Sequence, residues 1–123
     1  MRILTLLLVL AGCAAVDGSA QEDLARELAG RPAGAAQNCV SANQSGSLQA
    51  VDRSTIVLRA ADAIWVSRLR GACPGLRPMS TIIVDSFAGQ YCRGDRFRSI
   101  EAGSSSPGAT CLLAEFVPYR APR

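Results

Sequence analysis

The sequence predicts a mainly β domain: a small six-stranded antiparallel barrel or sandwich held by two disulfides, behind a signal peptide and a short helical, flexible tether. Short apolar runs, broken by turn residues, recur at fairly regular spacing after Cys39, and no long helical period is present. Four of the five cysteines are spread through this same region. The remaining cysteine follows an apolar run near the amino terminus.

That apolar run predicts a lipoprotein signal peptide over residues 1–12. Arg2 gives a minimal positive start, and residues 3–10 form an apolar core within the ~7–15 residues typical of secretory signals, whereas a membrane span needs about 20. Two small residues then precede Cys13, the arrangement in which a cysteine thiol receives lipid. We therefore expect cleavage before Cys13 and diacylation of its sulfur. Several acyl chains would make the anchor effectively permanent.

Two alternatives to this processing stay open. Small residues at Gly18 and Ala20 also fit ordinary signal cleavage after Ala20, which would remove Cys13 and release the protein. An uncleaved anchor is the other alternative. Under lipidation, Ala14 rather than Asp follows the cysteine, which resembles the default for outer-membrane sorting in Gram-negative bacteria. The expected location is then the cell envelope, on the periplasmic face of the outer membrane.

The tether is expected over residues 13–37. Ser19 with Glu22 three residues later fits a capping box, and Leu24 and Leu28 fall on one face, which together predict a short helix over residues 21–29. Gly30 is a favourable stop. A helix this short is marginal in water, so we expect it to be transient within a linker that continues to residue 36.

The β domain is expected over residues 38–118, with a tail at 119–123. The run at 55–59 is β-branched and strongly strand-like, and 81–87 is the clearest strand. Residues 102–109, rich in Ser and Gly, predict a flexible surface loop. The six predicted strands are residues 47–51, 55–59, 64–69, 81–87, 91–100 with an interruption at Gly94 and Asp95, and 111–117.

Four cysteines allow three pairings, which sequence alone does not decide. If the strands run up and down in chain order, Cys39 and Cys92 lie at one end of the domain. Cys73 and Cys111 then lie at the other end. Because disulfide Cα atoms must come within ~7 Å, this topology predicts Cys39–Cys92 and Cys73–Cys111. The compact spacing of a zinc knuckle is absent, so we expect no metal site.

Composition argues against several functional classes. The chain has 13 Arg and no Lys against 10 acidic residues, a net charge of +3, which is too weak to predict nucleic-acid binding. It contains no His, the commonest general base and metal ligand. The acidic residues are scattered beside turns, so we expect no catalytic residues, no cofactor and no enzymatic activity.

One surface suggests binding. Strand alternation would point Arg96 and Arg98 outward and Phe97 inward, and Arg93 lies close by in sequence. An outward Arg pair could meet an anionic partner such as lipid headgroups or a carboxylate-rich polymer. The competing interpretation is an ordinary polar strand face. Trp65, the one Trp, is expected in the core.

The cysteine contexts as a set resemble a family of small proteobacterial lipoproteins that carry a domain of unknown function. The shared pattern is C…C-P-x-L…C-x-G-D…C-x-L, here at Cys39, Cys73-Pro74-Gly75-Leu76, Cys92-Arg93-Gly94-Asp95 and Cys111-Leu112-Leu113. The resemblance covers about residues 38–117 and implies an exported, cysteine-paired β domain that is often lipid-anchored. It implies no activity. A Gly often follows the last leucine in this family, whereas Ala114 stands here.

Three functional hypotheses follow. The first is a non-enzymatic envelope lipoprotein, a small binding or structural module for an envelope protein or cell-wall component. The second is a periplasmic inhibitor of a cell-wall hydrolase, by analogy with lysozyme inhibitors at the level of fold alone. The third, an enzyme using carboxylate chemistry, would require two converging carboxylates of perturbed pKa.

Overall fold

The computed structural model describes residues 16–43, 46–86 and 88–122. Within them the chain forms one helix and nine strands, with the helix first. The predicted signal peptide and Cys13 lie outside the described residues, as does Phe87 at the end of a predicted strand. The elements are α1 (Val16–Leu28), β1 (Cys39–Ser41), β2 (Gln49–Asp52), β3 (Thr55–Arg59), β4 (Ala63–Arg68), β5 (Thr81–Val84), β6 (Gln90–Cys92), β7 (Arg96–Ile100), β8 (Cys111–Leu112) and β9 (Phe116–Arg120).

The strands form three antiparallel sheets that pack as a sandwich, which confirms the mainly β class. Sheet A has the order β2-β3-β4-β9, sheet B pairs β1 with β6, and sheet C has the order β5-β7-β8. The expected simple up-and-down order is wrong, because β9 returns to pair with β4 rather than with its predecessor in the chain. No single closed barrel forms among the described residues.

Sheet A is buried on both faces, because its central strands are apolar almost throughout. In β3, Ile56 and Leu58 join the core shared with sheets B and C, whereas Val57 faces α1. In β4, Trp65 lies in the first core, as predicted, and Val66 in the second. Such near-continuous apolar runs are typical of strands covered on both sides.

The helix α1 covers the second face of sheet A. Leu24 is 2% exposed and packs against the sheet, with Ala20 and Leu28 beside it. The helix begins at Val16 rather than at residue 21, so Ser19 lies inside it and is not its cap. Tertiary packing of an amphipathic face, rather than a local cap, fixes most helices in proteins. The helix ends before Gly30, as predicted, where a φ of +76° suits glycine.

The segment after the helix also belongs to the folded unit. The sequence predicts a tether over residues 13–37, whereas the described part, 16–37, packs on sheet A. The N–H of Gly34 donates to the carbonyl of Pro118 at 2.7 Å, and Gln37 exchanges two backbone hydrogen bonds with Phe116. The predicted tail at 119–123 likewise begins inside β9. The folded unit therefore extends beyond residues 38–118 in both directions.

The two disulfides join Cys39 to Cys92 and Cys73 to Cys111. These are the pairs that the same-end argument predicts, although the strand order differs from the meander on which it rested. Cys39 and Cys92 are direct register partners in sheet B. Cys73 follows β4, so its bond to Cys111 links sheet A with sheet C. The bond between Cys73 and Cys111 thus holds sheet C against the core.

Candidate functional site

The outer face of sheet C carries the predicted arginines of β7. Phe97 is 1% exposed and points into the core, while Arg96 and Arg98 on either side of it are exposed. This alternation is as predicted for a strand with one buried face. Ser99 continues the inward set, so β7 presents its cationic side chains to solvent.

Apolar side chains flank both arginines. Ile83 of β5 is the register partner of Arg98, and Leu112 of β8 is the register partner of Arg96. Ile83 is 47% exposed and Leu112 is 56% exposed, so both present apolar surface to solvent beside the arginines. We call the surface formed by Ile83, Arg96, Arg98 and Leu112 the Arg96–Arg98 face.

The two guanidinium groups keep donors available. Nε of Arg98 donates to Oγ1 of Thr110 at 3.1 Å, which fixes the side chain and leaves its terminal nitrogens without a partner among the described residues. Arg96 makes no ion pair within the described part of the chain. Arg96 and Arg98 line a shallow groove of about 430 Å³, and Asp85 lines it with them. Its backbone N–H donates to the carbonyl of Arg96 at 2.9 Å. The face is therefore cationic with one acidic residue at its rim.

Arg93, the third predicted residue, lies elsewhere. Its Nε lies 3.9 Å from Oε2 of Glu115, and it lines a separate groove of about 500 Å³ together with Arg70. The chain turns between Arg93 and β7 at Gly94, whose φ is +86°. The N–H of Cys92 donates to Oδ2 of Asp95 and closes this turn. The structure places Arg96 and Arg98 on one strand face and Arg93 in a neighbouring groove, which shares Leu112 with that face.

Two acidic side chains, those of Asp52 and Glu27, have shifted pKa values, and they lie at opposite ends of β3 with different partners. Burial alone would raise the pKa of Asp52, but hydrogen bonds from Gln21 and from the Ser54 N–H outweigh it and hold the pKa below its ordinary value. Hydrogen bonding from Arg59 likewise lowers the pKa of Glu27. Both are the shifts of structural carboxylates with donor partners. Among the described residues, no three Asp, Glu or Cys side chains cluster as metal ligands would.

A third groove is a feature that the sequence did not predict. It measures about 620 Å³ and lies between α1, β2 and residues 78–82. Met79 on its rim is 84% exposed with a φ of +71°, a conformation that side chains other than glycine rarely adopt. The helix α1 forms one wall of this groove. A sequence that predicts the helix as part of a tether therefore does not predict the groove.

No helix in the described ranges combines the length and the apolar character that crossing a membrane requires.

Comparison with protein families gives one match. The model described as "Family of unknown function (DUF6491)" matches residues 1–119 of the chain. No curated protein and no solved structure matches the chain.

Proposed function

The chain belongs to the DUF6491 family of unknown function, and from its own residues we propose a non-enzymatic, lipid-anchored envelope domain that binds a carboxylate-rich cell-wall polymer. The Arg96–Arg98 face is the proposed binding surface. The proposed anchor is lipid on Cys13, at the periplasmic face of the outer membrane.

The observation that carries this proposal is the outward Arg pair with exposed aliphatic neighbours. Arg recognises carboxylates through paired, charge-assisted hydrogen bonds, and its planar group is only weakly hydrated. Arg98 is already oriented by Thr110, which reduces the side-chain entropy lost on binding. Ile83 and Leu112 would contact the apolar parts of the same partner. The charge complementarity favours a polyanion over a neutral surface.

Export and anchoring are supported by the leader and by the disulfides. Residues 3–10 and Cys13 have the pattern of a lipoprotein signal, and the family match includes this segment. Disulfides persist in oxidising compartments and are rare in the cytosol, which agrees with an envelope location. A non-enzymatic role is proposed because the two carboxylates with shifted pKa values, Asp52 and Glu27, are held by structural hydrogen-bond donors.

Co-sedimentation with purified cell-wall sacculi tests the binding. The full lipidated chain should sediment with untreated sacculi and not with sacculi whose carboxylates have been amidated. Changing Arg96→Gln together with Arg98→Gln should weaken binding by about tenfold or more, since each charge-assisted hydrogen bond contributes about 1.5–3 kcal/mol. The control Arg26→Gln with Arg31→Gln removes the same charge near α1, on the opposite side of sheet A, and should bind normally.

Equal binding by the two double variants would discard this face as the binding surface. Binding that is indifferent to amidation would discard carboxylate recognition. A lysozyme assay on the same preparations distinguishes the inhibitor hypothesis from binding of a cell-wall polymer. Inhibition at micromolar protein, lost in the Arg96 and Arg98 variant, would reassign the face to a hydrolase whose site contains paired carboxylates.

A further inference from the structure

The start of α1 places a limit on how far the folded unit can lie from a lipid on Cys13. Val16 opens the helix three positions after that cysteine. Three fully extended residues span about 11 Å at most. Since α1 is packed on sheet A, the nearest part of the domain is held within that distance of the anchor. This argument rests on the proposed lipidation.

The contacts of α1 show which end of sheet A lies nearest to the anchor. Nε2 of Gln21 donates to Asp52 at 2.5 Å and to Thr55 at 2.9 Å, at the turn between β2 and β3. Later in the helix, Glu27 accepts from Arg59 at the far end of β3. The amino terminus of α1 therefore points toward and beyond the β2–β3 turn, which we call the anchor end.

Three arginines from separate parts of the sequence meet at the anchor end. Arg53 lies in the turn itself, and Arg68 is the register partner of Thr55. Arg70 lies in the next loop, which is tied to the turn by the hydrogen bonds Leu69 N–H to Ser54 O, 2.7 Å, and Cys73 N–H to Arg53 O, 2.8 Å. All three side chains are exposed, and none forms an ion pair with another described residue.

The opposite end of sheet A differs in charge balance. There Arg59 pairs with Glu27 at 2.7 Å, and Arg120 pairs with Asp62 at 3.3 Å. At the anchor end, the carboxylate of Asp52 accepts hydrogen bonds from Gln21 and Ser54, which are neutral, so it offsets the charge of one of the three arginines. The three guanidinium groups themselves have no ion-pair partner among the described residues, which leaves an excess of positive charge where the anchor would emerge.

We propose that the anchor end docks on the anionic lipid headgroups of the membrane that holds the acyl chains, with Arg53, Arg68 and Arg70 as the contact residues. Arginine binds phosphate oxygens with paired hydrogen bonds. Each basic residue near an anionic bilayer favours the bound state about fivefold, so three together contribute on the order of a hundredfold. The short link to Cys13 keeps these residues within reach of the headgroups.

Hydrogen exchange on the full lipidated chain tests the docking. The protein is reconstituted into phosphatidylcholine vesicles and into equal parts of phosphatidylcholine and phosphatidylglycerol. Backbone amides at 53–55 and 69–73 should exchange several-fold more slowly in the anionic vesicles, and high salt should remove the difference because it screens exposed charges. Amides at 60–62, at the opposite end, should not respond.

Matched variants assign the effect. Arg53→Gln, Arg68→Gln and Arg70→Gln combined should lose the protection. Arg26→Gln, Arg31→Gln and Arg120→Gln combined remove equal charge remote from the anchor end and should keep it. Unchanged exchange of the amides at 56–59 and 63–67 verifies that each variant is folded.

The outcomes separate this inference from the proposed anchoring. A lipidated chain that floats with both vesicle types but shows identical exchange at 69–73 overturns the docking and leaves the anchoring intact. A chain that carries no lipid mass on Cys13 and does not float overturns both.

Discussion

The hydroxyl group of Ser67 makes two hydrogen bonds with the backbone of Ala114: it donates to the carbonyl at 2.9 Å and accepts from the N–H at 3.1 Å. Both residues are buried. The two bonds connect β4 to the short segment between β8 and β9, where the chain passes from sheet C back to sheet A. A single side chain thus satisfies both backbone groups at this crossing.

Ser67→Ala should therefore be costly. It leaves a buried N–H and a buried carbonyl unpaired, at about 1–3 kcal/mol for each unsatisfied group. Ser99→Ala is the matched control, because Ser99 is equally buried but its hydroxyl has no partner among the described residues. That control should be neutral or stabilising. Urea unfolding of both variants measures the difference, and equal losses would mean that the Ser67 bonds add no stability.

Leu24→Ala tests whether α1 belongs to the folded unit. Leu24 is fully packed against sheet A, so removing its side chain should lower the free energy of unfolding by about 2–4 kcal/mol. Leu112→Ala truncates the same side chain at an exposed position and should change stability by less than about 0.5 kcal/mol. If Leu24→Ala left the free energy of unfolding unchanged, α1 would be a tether and not part of the folded unit.

Asp52 predicts a loss of stability in acid. Its pKa in the folded protein is lowered, so the stabilisation is present above the unfolded pKa of about 4 and is lost as the pH falls through the folded value. Asp52→Asn should be less stable than the wild type at neutral pH, and the gap should close as the pH falls below about 4. Asp62→Asn, an exposed partner of Arg120, should cost less than about 1 kcal/mol. Denaturant titrations across this pH range measure both variants, and a gap that persists in acid would contradict the assignment.

Removal of either disulfide should destabilise the protein by about 4 kcal/mol in the chain-entropy model, because the bridges span separations of 53 and 38 residues. Cys73→Ala with Cys111→Ala should also loosen sheet C, which that bridge holds. Cys39→Ala with Cys92→Ala should loosen sheet B instead. Thermal unfolding gives the losses, and non-reducing peptide mapping should recover only these two pairs.

Local patterns predicted much of the fold. The β-branched run of β3, the turn at Gly94 and the alternation around Phe97 are all decided by neighbours in sequence, and each was predicted correctly. The pairing of β9 with β4 was not predicted, because nothing in the neighbouring sequence indicates a register between Val66 and Val117. The burial of α1 could have been predicted, because β3 and β4 are apolar on both faces and such strands need to be covered on both.

The two proposed binding surfaces also differ in how far the sequence predicts them. Arg96 and Arg98 share one strand, so alternation alone places them together. Arg53, Arg68 and Arg70 become neighbours only through the register of β3 with β4 and the loop that follows. Arg93 is near β7 in sequence yet lines a different groove from Arg96 and Arg98, because the chain turns at Gly94.

The position of β9 has a consequence for the order in which the fold can be completed during synthesis. This strand lies between β4 and the segment at 33–37, is hydrogen-bonded to both, and follows the other eight described strands in the chain. Sheet A therefore cannot be completed until β9 has been synthesised. A chain that terminates before Phe116 would leave β4 and the segment at 33–37 without the strand that joins them.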